Sequence, residues 1–310
     1  MKYVYGPVPS RRLGRSLGID PIPSKTCNYQ CIYCQLGKTN NLTNKRKDFY
    51  PPEEIYKEME ASINQNIGRF DYITFVGSGE PTLYKSLGKL ILKAKELSKK
   101  PICIITNGSL LYQEDVKDDL IYSDVVLPTL DAGDETLFIR INRPHPSIRY
   151  EKIIQGYIDF QKNFSGKFWI EVMIMKGIND SKEELLKIKQ QLDLIQPDRI
   201  DVNVPIRPPT ESWVEIPDQD VIPILNDVFG DYNNINFPEQ GDFSILGSNF
   251  EIELKTLLER HPMRQEQILE TFTSNKFNEQ DLIHKLNVLL SQNKIRKVVY
   301  NNQTFWKLPD

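Results

Sequence analysis

The sequence predicts an α/β protein: a barrel of parallel strands, full or partial, followed by a small helical domain. Three observations carry this. Between residues 17 and about 205, short apolar strands alternate with amphipathic helices in six successive β/α units, a pattern that demands a parallel sheet with right-handed crossovers. From there Pro205, Pro208, Pro209, Pro217, Pro223 and Pro238 break the periodicity. From about Asn249 three short helical patterns and a hairpin follow. The expected organisation is therefore a barrel over 1–205, a proline-rich cap or linker over 206–248, and a winged-helix-like domain over 249–310.

The elements follow in order. Ser16–Ile22 is the first strand, and the loop behind it carries Cys27, Cys31 and Cys34. Pro52–Glu60 opens a helix with proline and acids in its first turn. Asp71–Val76 is the second strand and ends in Gly77-Ser78-Gly79-Glu80. A helix is expected over Thr82–Lys99, with leucines along it and lysines at its end. Pro101–Thr106 is the third strand, with Asn107-Gly108 as its turn, and Asp124–Leu130 is the fourth. A helical stretch interrupted near Pro144 and Pro146 runs to about Phe164. Phe168–Met175 is the fifth strand. Ser181 caps a helix that ends near Ile195, and Arg199–Val204 is the sixth strand. In such a series the active groups sit on the loops after the strand ends. Helices over Phe250–Arg260, Arg264–Phe272 and Asn278–Gln292 then precede a hairpin of Lys294–Tyr300 and Gln303–Leu308.

Bulk composition sets outer limits. The chain has 310 residues, 39% hydrophobic and 26% charged, as in ordinary globular proteins. A net charge of −3 gives no general field for nucleic acid or an anionic membrane. No run of apolar residues is long enough to span a bilayer, and the first residues lack a signal-peptide core. The 4 cysteines, three of them clustered, do not form a disulfide framework, so a reducing cytoplasm is the expected setting. Cys103 lies in an apolar strand and reads as a core residue.

Cys27-Asn-Tyr-Gln-Cys31-Ile-Tyr-Cys34 is the most specific feature. Three thiolates on one short loop can hold three irons of a [4Fe–4S] cubane and leave the fourth iron open to an exogenous molecule. Structural zinc prefers four ligands, and His145, His261 and His284 all lie far along the chain. Dithiol redox chemistry would use Cys31 and Cys34 and leave Cys27 idle. Spacing favours iron–sulfur and leaves the two others open.

The cysteine loop after strand one, with aromatic Tyr33 before the third cysteine, and the Gly77–Glu80 turn after strand two together resemble the radical S-adenosylmethionine (radical SAM) superfamily. The resemblance covers roughly residues 15–210 and implies a partial (β/α)6 barrel, one [4Fe–4S] cluster on Cys27, Cys31 and Cys34, and SAM as second cofactor. It implies reductive cleavage of SAM to methionine and a 5′-deoxyadenosyl radical that takes hydrogen from a substrate. It also implies that Gly77, Ser78, Gly79 and Glu80 receive the methionyl ammonium and that Tyr33 packs near the adenine, although Ser78 separates glycines that are adjacent in the family motif. Asn107, Asp131 and Glu171 are candidates for the ribose or carboxylate, and Asn203 and Val204 for the adenine. A flavodoxin or ferredoxin is the reductant that the resemblance implies. The segments Tyr5–Gly18, Lys25–Gln35 and Arg207–Val214 resemble a group of radical SAM proteins without an assigned substrate. Arg207–Val214 and Leu130-Asp-Ala132 are distantly similar to wybutosine-type tRNA-modifying enzymes.

Arg11, Arg12, Arg15 and Arg207 are candidates to hold a phosphate or carboxylate, against the plainer role of pairing with barrel acids. With Cys103 the only cysteine left over, a second cysteine-held cluster is not expected. Residues 251–310 hold nine Lys/Arg and eight Asp/Glu, a net +1 that makes nucleic acid or peptide binding a modest expectation. Lys294-Ile-Arg-Lys297 would be the phosphate-contacting run, or a charged guard on an edge strand. Two readings of function follow. One is a SAM-cleaving enzyme whose substrate is an RNA, a peptide or protein, or a small metabolite. The other is an iron–sulfur regulator whose winged helix binds nucleic acid without turnover.

Overall fold

The computed structural model describes residues 2–236, 243, 245, 249–275 and 277–309. The chain opens with an antiparallel pair, β1 (Val4–Ser10) and β2 (Gly14–Ile19). Two short parallel strands, β3 (Thr26–Cys27) and β4 (Asn41–Leu42), bracket the cysteine loop. There follow α1 (Pro52–Gln65), β5 (Tyr72–Phe75), a 3₁₀ turn at Pro81–Leu83, α2 (Leu87–Leu97), β6 (Ile102–Thr106), α3 (Glu114–Leu120) and β7 (Val125–Pro128). Next come α4 (Glu135–Asn142), α5 (Tyr150–Asn163), β8 (Lys167–Met173), α6 (Lys182–Ile195) and β9 (Arg199–Asn203). The remainder holds α7 (Val221–Phe229), β10 (Asn233–Asn234), α8 (Phe250–Leu258), β11 (Met263–Arg264), α9 (Gln265–Ser274), α10 (Glu279–Ser291), β12 (Arg296–Tyr300) and β13 (Gln303–Lys307).

The large sheet has the order β1-β2-β5-β6-β7-β8-β9-β10, and every pair except β1–β2 is parallel. Helices cover its strands, so β5 and β7 are apolar and buried on both faces, as parallel strands must be. Phe75 and Phe168 are fully buried, each contributing about 2–3 kcal/mol by area. The sheet is open between β1 and β10. Arg11, at the β1–β2 turn, crosses to the other edge, where its Nη1 donates to Asn203 Oδ1 at 2.7 Å and to the Ile235 carbonyl at 2.6 Å.

Local chemistry sets the helix ends. α1 starts on Pro52 with Glu53 and Glu54 in its first turn. Asp134 caps α4 through the Leu137 N–H, Ser181 caps α6 through the Glu184 N–H, and Asn278 caps α10. α4 stops where Arg143 takes a left-handed conformation before Pro144.

Several elements depart from expectation. The first strand starts earlier, at Gly14, and ends at Ile19, so Asp20 leaves the sheet. β1 lies where Pro7 and Pro9 argue against a strand, yet proline is tolerated on an edge, and the pair slips register between Tyr5 and Val8. The helix expected over Thr82–Lys99 begins at Leu87, because Glu80 caps the 3₁₀ turn and Asp48 takes the Ser86 N–H at 2.8 Å. α3, with four acids in seven residues, is too short for its period to be read. The proline-rich stretch adds α7 and lays β10 parallel to β9. Most of 237–248 lies outside the described residues. The C-terminal segment packs α8, α9 and α10 on an antiparallel sheet of order β11-β13-β12, one strand more than the expected hairpin. Leu254, Phe272, Leu282, Leu286 and Trp306 form its core, and Val8 of β1 packs against it.

Candidate functional site

The cysteine loop is held in place by distant backbone. Gln30 N–H donates to the Asn142 carbonyl at 2.9 Å, Ile32 N–H to Ile141 at 3.0 Å, and His145 N–H to Asn28 at 2.8 Å. The end of α4 thus fixes the shape of the loop. Thr210 Oγ1 donates to the Cys34 carbonyl at 2.8 Å from the far side.

Cys27, Cys31 and Cys34 all line one cavity of about 300 Å³. Two sulfurs accept amide hydrogens: Cys27 from Asn107 Nδ2 at 3.6 Å and Cys31 from Asn142 Nδ2 at 3.5 Å. Tyr29 N–H adds a contact to Cys27 Sγ at 3.4 Å. Burial, helped by the Glu80 charge, pushes the Cys27 thiol up to about 12. Burial likewise raises Cys31 well above the usual thiol value, with Cys34 as second cause, and raises Cys34. Three half-buried thiols with raised pKa values and neighbouring N–H donors suit thiolates that meet a metal centre, since cations reverse this cost. Among the described residues no three His, Cys, Asp or Glu side chains are placed to hold one metal ion. Three cysteines of one loop that line one cavity fit a [4Fe–4S] cluster, which takes each thiolate on a different iron.

The Gly77–Gly79 loop forms the adjoining wall. Asp20, buried directly after β2, accepts both the N–H and the hydroxyl of Ser78 on Oδ2, at 3.0 and 2.8 Å. A Cβ on Gly77 would lie 1.8 Å from Asp20 Oδ1, and one on Gly79 would lie 2.0 Å from the Thr26 carbonyl oxygen. Both positions therefore require glycine. Lys25 N–H donates to the Ser78 carbonyl at 2.6 Å and ties the glycine loop to the cysteine loop.

Across the cavity stand Arg11, Arg12, Glu171, Asn203, Val204 and Arg207. Arg12 pairs with Glu171, whose other oxygen accepts from Asn203 Nδ2 at 3.3 Å. Arg207 Nη1 donates to Gln35 Oε1 at 2.6 Å. Tyr33 lines the cavity and gives its hydroxyl to Asp131 Oδ2 at 2.6 Å.

Four predicted residues are not on this wall. Glu80 is buried, and its carboxylate is taken up by Thr82 N–H, the hydroxyls of Thr82 and Thr106, and Asn107 N–H, at 2.6 to 3.0 Å. It joins the ends of β5 and β6 and stands behind the loop. Asn107 reaches the Cys27 sulfur and Asn28. Asp131 lies behind Tyr33, with Asn142 Nδ2 and Met173 N–H both at 2.9 Å, and burial raises it to about 6. Arg15 is exposed on β2, away from the cavity, with its N–H on Asp71 Oδ2.

Sequence reasoning missed Asp20, Lys25 and Asn142. A carboxylate at the end of the first parallel strand was a readable signal for Asp20. Nothing local marks Asn142, which is 111 positions from the cysteine that it touches.

Residues 22–188 match the model of the Radical SAM superfamily, and the chain belongs to that superfamily. It is 38% identical over 313 residues to a UPF0026 protein of Methanocaldococcus jannaschii, covering 99% of this chain and 96% of that one. Among solved structures, TYW1 with a lysine-pyruvate adduct matches at TM-score 0.51 and 18% identity, over 71% of this chain and 76% of that one. Streptococcus suis SuiB bound to S-adenosylmethionine matches at TM-score 0.52 and 20% identity, over 73% and 50%. These two likenesses concern the fold. Among the described residues no helix is long and apolar enough to cross a membrane.

Proposed function

We propose that the chain is a radical SAM enzyme, with a [4Fe–4S] cluster on Cys27, Cys31 and Cys34 and SAM in the cavity beside it. The observation that carries the proposal is that one cavity joins the three cysteines to the Gly77–Gly79 loop. When bound, the cluster supplies one electron to the SAM sulfonium and yields methionine and a 5′-deoxyadenosyl radical, which abstracts hydrogen from the substrate. The chain's residues bind and orient. The backbone of Gly77, Ser78 and Gly79 receives the methionyl ammonium, while Asp20 and Glu80 hold that loop from behind. Tyr33, steadied by Asp131, supplies an apolar ring face to the adenine. Asn203 and Glu171 offer polar groups on the wall opposite, with the apolar Val204 beside them, and Arg11 and Arg12 keep Asn203 and Glu171 aimed.

The three segments 1–205, 206–248 and 249–310 serve as cofactor barrel, cap and winged-helix domain in this reading. Three helices on a small antiparallel sheet support the last of these. A flavodoxin or ferredoxin delivers the electron. The test is anaerobic reconstitution followed by metal analysis and SAM dialysis. The expected result is about four irons and four sulfides per chain and saturable SAM binding that needs the cluster. Zinc in place of iron, or no SAM binding by the cluster-loaded chain, would refute the proposal.

A further inference from the structure

The segment after α8 meets the barrel through one arginine. Arg260 and Asp20 are both buried, and Arg260 Nη2 lies 4.0 Å from Asp20 Oδ2. That oxygen is the one that accepts the N–H and the hydroxyl of Ser78. The same guanidinium sits 4.7 Å from the centre of the Tyr5 ring. Tyr5 packs on Gly18, where a Cβ would lie 2.1 Å from Tyr5 Cζ. Its hydroxyl donates to the Val76 carbonyl at 3.4 Å, one residue before Gly77. Asp20 and Tyr5 thus back the glycine loop, and Arg260 lies against both. The backbone of Arg260 reaches the other motif as well. Its carbonyl accepts from Gln35 Nε2 at 3.3 Å, and Gln35 follows Cys34 and lines the cysteine cavity.

Charge gives the contact with Asp20 its weight. A buried carboxylate is costly unless a cation compensates it. Burial raises Asp20 above the ordinary aspartate value, and Arg260 is the strongest influence that pulls it back, ahead of the bonds from Ser78. The other ionisable groups near Asp20 are Tyr5 and Tyr50, and neither supplies a positive charge. Among the described residues Arg260 is the one cation paired with Asp20. The remaining partners of Arg260 are the carbonyls of Thr256 and Lys2, at 2.8 and 3.1 Å, and the exposed Glu259 carboxylate at 3.3 Å.

We propose that Arg260 is a positioning residue of the SAM site: from the C-terminal segment it holds the Asp20 carboxylate against Ser78, and Asp20 holds the Gly77–Gly79 loop in the shape that receives SAM. The inference rests on the SAM reading above and deepens it, because SAM affinity then depends on the docked C-terminal segment.

The test is SAM dialysis with the cluster-loaded full chain across a pH series. Arg260→Gln should weaken SAM binding about tenfold, within the coupling range of contacting residues, and Arg260→Lys should restore most of the loss. Without the cation Asp20 takes a proton more readily. The pH at which SAM affinity falls on acidification should therefore lie higher in Arg260→Gln than in the unmodified chain, a shift that a merely structural role would not produce. In an Asp20→Asn background Arg260→Gln should change SAM affinity by no more than about twofold. Equal weakening in the two backgrounds, an unshifted profile, or unchanged SAM affinity in Arg260→Gln would overturn the inference. If Arg260→Gln does not fold, Arg260→Lys decides: a loss of about tenfold or more overturns the inference and a smaller one supports it. Failure of the SAM reading shows differently, as an unmodified cluster-loaded chain that binds no SAM. Hydrogen exchange at the Ser78 amide, read without SAM, then decides. Faster exchange in Arg260→Gln supports the tie from Arg260 through Asp20 to the loop, and equal exchange overturns it.

Discussion

Asp20 accepts both the backbone N–H and the hydroxyl of Ser78 on a single carboxylate oxygen, at 3.0 and 2.8 Å. A buried acid at the end of β2 thereby sets the shape of the loop at the end of β5, and Gly77 fits only because it has no Cβ to strike that acid. Gly77→Ala and Gly79→Ala should each displace the loop at a cost of about 1–3 kcal/mol, the range for overpacking, and should weaken SAM binding. Gly68→Ala is the control. Its φ is +75° but a Cβ there meets nothing within 4 Å, so it should cost stability from backbone strain alone and leave SAM binding intact. Urea denaturation and SAM dialysis on the three variants check this. Equal SAM binding in all three would contradict it.

Glu80 is predicted to act through the fold. Its carboxylate accepts four hydrogen bonds from Thr82 after β5, Thr106 at the end of β6 and Asn107 directly after it. Glu80→Gln turns an amide toward donors and should cost about 1–3 kcal/mol of stability. SAM affinity should fall only as far as the loop moves. A large loss of affinity with unchanged stability would show direct contact with the ligand instead.

The cysteines should separate sharply. Cys31→Ala should abolish the cluster's visible absorption and its iron. Cys103 is fully buried in β6 among Leu13, Val125 and Leu127. Cys103→Ala should leave the cluster unchanged and cost about 1 kcal/mol, as small core truncations do. Iron content and thermal melts read both.

Asp131 gives a pH signature. Burial raises it to about 6 in the folded chain, above the value of 3.8 for a free aspartate. The folded state then holds a proton that the unfolded state releases, so this group's contribution is fully present below about pH 4 and is lost as pH rises through about 6. Asp131→Asn should remove that fall. Between pH 4 and 7 the unmodified chain should lose up to about 3 kcal/mol relative to the variant, two pKa units at 1.36 kcal/mol each. Parallel urea curves at the two pH values measure it.

Much of the barrel was legible because its strands are apolar runs separated by helices with strong ends, such as Pro52 in α1 and Ser181 before α6. The elements that escaped are those whose local signals are weak or misleading. β1 carries two prolines, α3 spans only 7 residues and β10 only two asparagines, so tertiary pairing decides them. The site divides in the same way. Cys27, Cys31, Cys34 and the Gly77–Glu80 turn are contiguous motifs and could be named from the sequence. Their supports could not, because Asn142 reaches Cys31 and Arg11 reaches Asn203 only after the sheet has curved. The sequence also could not distinguish a carboxylate that faces the cavity from one, like Glu80, whose every oxygen is already engaged.

The central claim is that the cysteine cavity cleaves SAM. Its most direct test is the yield of 5′-deoxyadenosine when the cluster-loaded chain is mixed anaerobically with SAM and a strong reductant. The account predicts 5′-deoxyadenosine and methionine in equal amounts, and none above background from Cys31→Ala. A chain with a full cluster and bound SAM that gives no more 5′-deoxyadenosine than Cys31→Ala would contradict it.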